Sequence, residues 1–321
     1  MNARRVFAGV LLLAAMTGQA THAADYPTKP VRLVVGYTAG GGSDVLARLL
    51  ALKLSESLGQ QVIVENRPGA ASTMAVEYVS KAAPDGYTLL LGQGGSLSVA
   101  PAIYKEIRYN TTKDFAPISL VASLPILMAV NKNGPAQSLP ELIDFAKRNP
   151  DKASYSSPGS AFKLLGEQLN LQAGTHLQEI PYKGSTDAVN ALVAGDVLSA
   201  ISDSISTNLG LNTGKIKLVA ISSAKEHPAF PGTPTFTELG YKDMDITLWQ
   251  GILAPAGTSS AIVQRLNREV ARVLAMPDVK ARYAAMGLDA VTSTPEDMAS
   301  LMERDLARSA ETVRAANIPK Q

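Results

Sequence analysis

The sequence predicts an α/β protein of two lobes, each with a mainly parallel sheet flanked by helices, and two crossing strands that join the lobes. Short apolar runs alternate with amphipathic segments along most of the chain, which is the pattern of parallel sheets. A length of 321 residues favours two domains over one. The segment after residue 255 is helical in pattern and adds no strand, so it must cover a sheet that forms earlier in the chain.

The first series of elements alternates strictly between strand and helix. Leucine recurs every four residues from Leu46 to Leu58, which gives one helix a continuous apolar stripe. The turn at residues 84–86, Pro-Asp-Gly, introduces the third strand. The predicted elements are strand 31–36, helix 44–58, strand 61–65, helix 73–82 and strand 87–92.

A second series continues the alternation. Its first helix opens with a capping-box pattern, because Ser138 precedes Glu141 by three residues and Pro140 stands in the first turn. The predicted elements are strand 126–131, helix 139–147, strands near 154–156, 179–182, 198–203, 217–221 and 247–254, helices that begin near Ser160, Ser185 and Ser204, and helices 259–275, 278–286 and 295–315.

This order of elements predicts a discontinuous first lobe. The chain should cross between the lobes near 124–129 and return near 247–251, where Trp249, the only tryptophan, either fills the core or reports closure. The expected division is a signal peptide over 1–24, lobe 1 over 25–124 together with 250–321, and lobe 2 over 125–249.

The N-terminus has the pattern of a secretory signal peptide. Arg4 and Arg5 precede an apolar run over 6–16, and small and polar residues follow it. That run is too short to span a bilayer, which needs about 20 residues. Cleavage is expected after Ala23 or Ala24, and the mature protein should then be exported and soluble.

Composition excludes several classes of protein. Lys and Arg total 30 against 28 Asp and Glu, so the chain has no basic surplus with which to bind nucleic acid or an anionic membrane surface. The chain has no cysteine and only three histidines, which removes Cys-His nucleophiles and the usual zinc and iron–sulfur sites. We therefore expect no cofactor and no metal.

Four loops share one design, in which a strand ends and Gly, Ser or Thr residues lead into a helix. Ligands of open parallel sheets bind at this edge, where glycine exposes backbone amides and helix N-termini favour anions. The alternative is that each loop is only a tight turn with a serine cap. The glycines do not complete a dinucleotide or a phosphate-loop motif. The loops are 37–44, 92–96, 156–161 and 183–187.

Five motifs in order resemble the Bug, or tripartite tricarboxylate transporter, substrate-binding proteins. The resemblance spans nearly the whole mature chain. The motifs are Tyr-Thr-Ala-Gly-Gly-Gly-Ser-Asp at 37–44, Glu-Asn-Arg-Pro-Gly-Ala at 65–70, Pro-Asp-Gly-Tyr-Thr-Leu-Leu at 84–90, Pro-Tyr-Lys-Gly-Ser at 181–185 and Leu-Ala-Pro-Ala-Gly-Thr at 253–258.

The resemblance implies a periplasmic binding protein, type II-like and monomeric, whose lobes close on a small carboxylate with ordered waters. The ligand class would be a di- or tricarboxylate, an amino acid or an aromatic acid, and the partners would be membrane permease subunits. The residues that the resemblance and the loops assign to ligand binding are Tyr37, Thr38, Ala39, Gly40, Gly41, Ser43, Gln93, Gly94, Ser96, Gly159, Ser160, Ala161, Lys183, Thr186, Asp187 and Asp203.

Two positions depart from the family pattern. Lys163 stands where histidine is usual, and it could meet a second ligand carboxylate or remain a solvated helix residue. Asp187 stands where proline is usual, and it could pair with a ligand ammonium or simply favour the helix N-terminus. Two other functions stay open: a sensing partner of a membrane receptor, and an exported hydrolase, although no serine here has a recognisable catalytic base.

Overall fold

The computed structural model of this protein describes residues 26–315, 318 and 320. The predicted signal peptide, residues 1–24 with its cleavage position at Ala23 or Ala24, lies outside these residues. None of the helices in the described part of the chain combines the length and the apolar character that a membrane crossing requires.

The sheet of lobe 1 is built around β1 (Val31–Val35), which runs parallel to both neighbours, β2 (Val62–Asn66) and β3 (Thr88–Gln93). Helix α1 (Gly42–Leu58) connects β1 to β2, and its leucine stripe is buried. Helix α2 (Thr73–Ser80) connects β2 to β3. The predicted bounds of these five elements are confirmed to within one or two residues.

A buried helical segment that the sequence pattern did not predict follows β3. One π-helical turn over Gly95–Val99 leads into α3 (Ala100–Ile103). Two side chains from the next loop hold this turn, since the Tyr109 hydroxyl donates to the Ser96 carbonyl and the Thr111 hydroxyl donates to the Leu97 carbonyl. The wide turn brings small residues to the boundary between the lobes, and π turns of this kind are common at functional sites.

Two long strands carry the chain between the lobes. Strand β4 (Phe115–Asn131) pairs antiparallel with β9 (Thr247–Pro255) over residues 115–125 and then pairs with strands of lobe 2. The predicted strand over 126–131 was therefore too short. Its first half was missed because proline and serine interrupt the apolar pattern, and Pro117 lies where the β4–β9 register shifts, a position at which a sheet tolerates proline.

Lobe 2 repeats the parallel arrangement of lobe 1. Its central strand lies between two parallel neighbours, one of which pairs in turn with the end of β4. The strands are β5 (Ser154–Ser157), β6 (Gln178–Pro181), β7 (Ser199–Asp203) and β8 (Ile216–Ile221), with β5 central and β8 antiparallel to β4. The helices are α4 (Leu139–Arg148), α5 (Ser160–Ala173), α6 (Ser185–Ala194) and α7 (Ser204–Leu211).

The C-terminal helices cover the sheet of lobe 1, which forms from earlier parts of the chain, as the sequence predicts. They are α8 (Ser260–Leu274), α9 (Pro277–Ala285) and α10 (Pro295–Ala315). Buried residues of α8 and α9 join one core cluster with β1 and α1, and Met298 and Met302 of α10 join another with β3 and β9. We keep the division at 124/125 and 249/250 as a proposal, and it is supported by a separate core cluster that contains only residues between 126 and 244.

Candidate functional site

A narrow crevice, which we call the cleft, separates the loops of lobe 1 from those of lobe 2. Its volume is about 20 Å³, which is room for about one water molecule. Six predicted site residues line it: Tyr37, Gly41, Ser43, Gln93, Ala161 and Asp203. The other lining residues are Gly42, Gly95, Leu124, Phe162, Ser185, Leu248, Trp249 and Gln250.

Residues from the first turns of three helices line the cleft. Helices α1, α5 and α6 begin just after strands end, and their N-cap residues are Gly41, Gly159 and Gly184. Glycine offers no side chain, and within the described chain the N-cap of each of these helices makes no side-chain hydrogen bond. The first N–H groups of a helix have no partner inside the helix, so here they are available to an anion, which the helix dipole also favours.

The two lobes touch across the mouth of the cleft. The Thr186 hydroxyl of lobe 2 donates to the Gly40 carbonyl of lobe 1 at 3.2 Å. A Cβ placed on Gly184 would lie only 2.5 Å from Thr38 Oγ1, and one placed on Gly159 would lie 3.2 Å from the Tyr37 hydroxyl. The Gly184 backbone therefore lies so close to the Thr38 side chain of the opposite lobe that a side chain at Gly184 would have to displace the Thr38 hydroxyl.

The β1–α1 loop is held in shape by Asp44, which is almost completely buried. Its carboxylate accepts hydrogen bonds from the Gly40 amide, the Arg48 guanidinium and the Asn66 amide, all between 2.8 and 2.9 Å. Burial alone would raise the pKa of Asp44, but these hydrogen bonds outweigh it and lower the pKa below its usual value. The Asn66 amide also donates to the Tyr37 carbonyl, so the loop is anchored to β2.

The Asp203 carboxylate, which belongs to lobe 2, lies against the start of α1 in lobe 1. Its Oδ1 accepts from the Ser206 amide at 2.8 Å, so it caps α7, and a Cβ on Gly42 would lie 2.7 Å from the same oxygen. Burial raises the pKa of Asp203 despite hydrogen bonds from Ser185 and Ser206. Burial likewise raises the pKa of Tyr37, the charge on Asp203 adding to the effect, so the Tyr37 hydroxyl stays neutral and can donate to a ligand.

Polar atoms without partners surround the same place. The Ser160 hydroxyl, in the first turn of α5, and Gln250 Oε1, on β9, are both buried and have no hydrogen-bond partner among the described residues. The Gln93 amide donates to the Ser43 hydroxyl, and both residues belong to lobe 1, so lobe 1 fixes the position of the Ser43 oxygen. No lysine or arginine is among the described residues that line the cleft. Backbone amides and hydroxyls are thus the main donors there.

Lys163 lies on α5, one of the three helices that begin at the cleft, but it is paired within lobe 2. Its Nζ is 2.8 Å from Glu179 Oε2, both side chains are largely buried, and the Ser157 hydroxyl donates to the other Glu179 oxygen. Because Lys163 is already paired with Glu179, the structure counts against the hypothesis that Lys163 meets a second ligand carboxylate. Arg67 is similarly paired with Glu65 and lies over the Tyr78 ring.

The remaining predicted site residues fall into three groups. Those at contacts between the lobes are Thr38, Gly40, Gly159 and Thr186. Those buried behind the cleft or beside it are Gly94, Ser96 and Ser160. Those exposed to solvent are Ala39, Lys183 and Asp187. Asp187 occupies the first turn of α6 outside the cleft lining, which favours the interpretation that it stabilises the helix N-terminus.

Sequence reasoning missed the floor of the cleft. Leu124 on β4 and Leu248, Trp249 and Gln250 on β9 contribute it. The predicted crossings contained these positions, and any strand that joins two lobes must pass beneath the space between them. That topological argument could have assigned them to the site. In the described part of the chain, no group of three or more His, Cys, Asp or Glu side chains is placed to hold a metal ion.

Residues 46–318 match the sequence model of one protein family, TctC, which is described as the tripartite tricarboxylate transporter family receptor. Protein BugT of Bordetella pertussis is 34% identical over 319 residues, which cover 98% of this chain and 98% of that protein.

Two solved structures are similar over both lobes. The structure of R. palustris Rpa4515 with adipate gives a TM-score of 0.88 at 32% identity and covers 92% of this chain and 100% of that one. MatC (Rpa3494) from Rhodopseudomonas palustris with bound malate gives a TM-score of 0.86 at 30% identity and covers 90% and 100% of the two chains.

Proposed function

Because this chain belongs to the tripartite tricarboxylate transporter receptor (TctC) family, we propose that it captures a small carboxylate in its cleft and delivers it to the membrane permease subunits of such a transporter. The family consists of periplasmic solute-binding proteins and not of enzymes, as the sequence predicted. Adipate and malate, bound by the two similar proteins, are both carboxylates, and this supports the ligand class proposed for the present chain.

The observation that carries the proposal is that one cleft is lined by first-turn residues of three helices with glycine N-caps, and that its described lining contains no lysine or arginine. A carboxylate there would accept hydrogen bonds from backbone amides of both lobes. Micromolar affinity requires about 8 kcal/mol, and hydrogen bonds to a charged group contribute about 1.5–3 kcal/mol each. Four such bonds contribute about 6–12 kcal/mol, which reaches that scale only before the costs of association and ordering, so tight binding needs more donors than one loop supplies.

Closure and affinity are coupled in this proposal. A ligand can favour the closed form only through contacts that the open form lacks. Here the donors are divided between lobe 1, at the start of α1, and lobe 2, at the starts of α5 and α6. Neither lobe holds the full set, so binding would draw them together.

Replacing Ser160 with alanine tests the assignment of the cleft. The Ser160 hydroxyl has no partner among the described residues, so Ser160→Ala should leave the melting temperature of the free protein nearly unchanged. Malate and adipate are the probes, measured by titration calorimetry, and the affinity for whichever binds should fall about ten-fold or more because a hydrogen bond to a charged group is lost. If Ser160→Ala binds both acids as tightly as the parent, the carboxylate does not lie at the start of α5.

We also propose export to the periplasm with cleavage after Ala23 or Ala24. The proposal is supported by the charge and apolar pattern of the N-terminus and by the periplasmic location of the family. The intact mass of the protein recovered from the periplasmic fraction should correspond to a chain that begins at Ala24 or Asp25. A full-length mass in that fraction would contradict the cleavage.

A further inference from the structure

A second and much larger cavity, which we call the side cavity, opens beside the cleft. Its volume is about 670 Å³, against about 20 Å³ for the cleft. Helix α5 of lobe 2 forms one wall and α10 of lobe 1 the other, with the first residues of β9 between them. Small-molecule sites commonly have volumes of about 300–1,000 Å³, so the side cavity has the size of a ligand site.

The side cavity adjoins the cleft. Four residues line both spaces: Gly95, Ala161, Leu248 and Trp249. Gly95 of lobe 1 and Ala161 of lobe 2 pack together at this boundary, since a Cβ on Gly95 would be in van der Waals contact with the Ala161 Cβ at 3.5 Å. Because both residues are small, a slight parting of the lobes would let a molecule whose carboxylate lies at the start of α5 extend past Ala161 into the side cavity.

The chemistry of the side cavity differs from that of the cleft. Val99, Leu164 and Leu171 make it largely apolar. One side chain of its wall stands out, because Gln168 is 9% exposed and its Oε1 is buried within the wall without a hydrogen-bond partner among the described residues. Asp305 adds a buried carboxylate, which accepts from Trp249 Nε1 at 2.9 Å and from Arg308 at 2.8 Å. The wall of the cavity thus holds acceptors in apolar surroundings, and a small rotation of the Gln168 side chain would bring its unpaired oxygen to the cavity.

We propose that the side cavity holds the distal part of the ligand, and that this ligand is a carboxylic acid with a ring-sized apolar body and a hydroxyl or ammonium donor at its far end. This inference rests on the function proposed above. Gln168 lies eight positions after Ser160 on α5, a rise of about 12 Å along the helix. A donor that meets Gln168 Oε1 is therefore separated from the carboxylate by roughly the length of a phenylpropanoic acid, and Gln168 determines specificity at that end.

The experiment uses full-length mature protein with three probe acids: malate, 3-phenylpropanoate and 3-(4-hydroxyphenyl)propanoate. In the parent, the phenolic acid should bind about ten-fold or more tightly than malate, because its ring is buried. Leu171→Trp fills the side cavity and should remove this preference while leaving malate binding unchanged. Leu209→Trp is the matched control, because Leu209 is similarly exposed, at 52% against 54% for Leu171, but lies on α7 away from the cavity.

Gln168→Leu tests the distal acceptor by itself. It should reduce the preference for the phenolic acid over 3-phenylpropanoate, which we expect to be about five-fold, because one hydrogen bond is lost while the apolar contact remains. Unchanged affinities in both Leu171→Trp and Gln168→Leu would overturn the side-cavity proposal. If the parent binds malate but neither aromatic acid, the side cavity is not a ligand subsite although the proposed function stands. If it binds none of the three, nor adipate, both proposals fail together.

Discussion

The helices that begin at the cleft differ from those that begin elsewhere in how their N-termini are satisfied. Helices α4, α8 and α10 each have a side-chain cap, from Ser138, Ser259 and Thr294 respectively. Helices α1, α5 and α6 have glycine at the N-cap and no side-chain cap among the described residues. α2 and α9 also lack side-chain caps, but both begin away from the cleft lining.

This contrast shows which helix donors the fold leaves without a side-chain partner. A serine or threonine cap typically contributes about 1 kcal/mol relative to alanine, but only a few tenths of that relative to glycine. The glycine N-caps at the cleft therefore keep the donors free at little cost to the helices. α7 is the exception, since Asp203 caps it with a carboxylate in the cleft itself. The first turn of α7 is therefore already occupied, and our proposal places the ligand at the other three helices.

The largest expected effect comes from giving a cleft helix a cap of its own. Gly41→Asp places a carboxylate at the start of α1, where the backbone is extended and a Cβ would lie 3.2 Å from the Thr38 carbonyl oxygen, a tight contact that Gly41→Asn would share. Its charge should weaken carboxylate binding about a hundred-fold, because like charges placed together cost several kcal/mol. Titration calorimetry measures the loss, and Gly41→Asn separates charge from capping, since it caps without charge. Equal affinities for the Asp and Asn variants would show that α1 does not hold the anion.

A second expected effect depends on the close approach of the lobes. A methyl group in Gly184→Ala would lie 2.5 Å from Thr38 Oγ1, so it should oppose closure and weaken ligand binding about ten-fold or more. In a Thr38→Ala background the obstacle is gone, and the same substitution should have little effect. The four affinities form a double-mutant cycle. Equal losses in both backgrounds would point instead to the poor capping of alanine at the start of α6.

The protonation of Asp203 should make binding depend on pH. Its raised pKa means that the folded protein holds this proton more tightly than the unfolded chain does, so stability falls as the pH rises from the ordinary value of 3.8 through the raised value. An anionic ligand beside Asp203 raises that pKa further. Affinity for malate should therefore increase as the pH falls through this window, by at most about ten-fold per pH unit.

Asp203→Asn isolates this effect, because asparagine caps a helix as well as aspartate does. The variant should bind malate with an affinity that changes less with pH than that of the parent. The opposite slope in the parent, with affinity lost as the pH falls, would indicate that ionised Asp203 pairs with a cation on the ligand. In that case an amino acid would replace a simple carboxylate as the ligand class.

The order of strands and helices could be predicted from the sequence because each element carries its own local signal. Leucine at every fourth position defines α1, and the box of Ser138 and Glu141 defines the start of α4. The start of β4 could not be predicted in this way. Residues 115–125 are held by their pairing with β9, more than a hundred residues later in the chain, and local propensity does not report such a partner.

The candidate site could be predicted only in part, for a related reason. Glycine-rich loops that follow strands are visible in the sequence, and six of the predicted residues line the cleft. The sequence does not show which side chains of a loop will be exposed, so it groups Asp187 and Lys183 with the site although both face solvent. Lys163 shows the same limit, because its partner Glu179 lies on another element and only the fold brings the two together.

The smallest expected effect comes from a helix that begins away from the cleft, where the side-chain cap contributes only to stability. Ser138 accepts from the Glu141 amide at 3.4 Å, and Glu141 in return accepts from the Gln137 amide at 2.8 Å. Ser138→Ala should lower the free energy of unfolding by about 1 kcal/mol, measured by urea denaturation, and leave malate affinity unchanged. Ser160→Ala is the matched opposite, a serine at a helix start whose loss should weaken binding and spare stability. If Ser138→Ala also weakened binding, helix starts far from the cleft would be coupled to it, and the distinction between the two sets of helices would not hold.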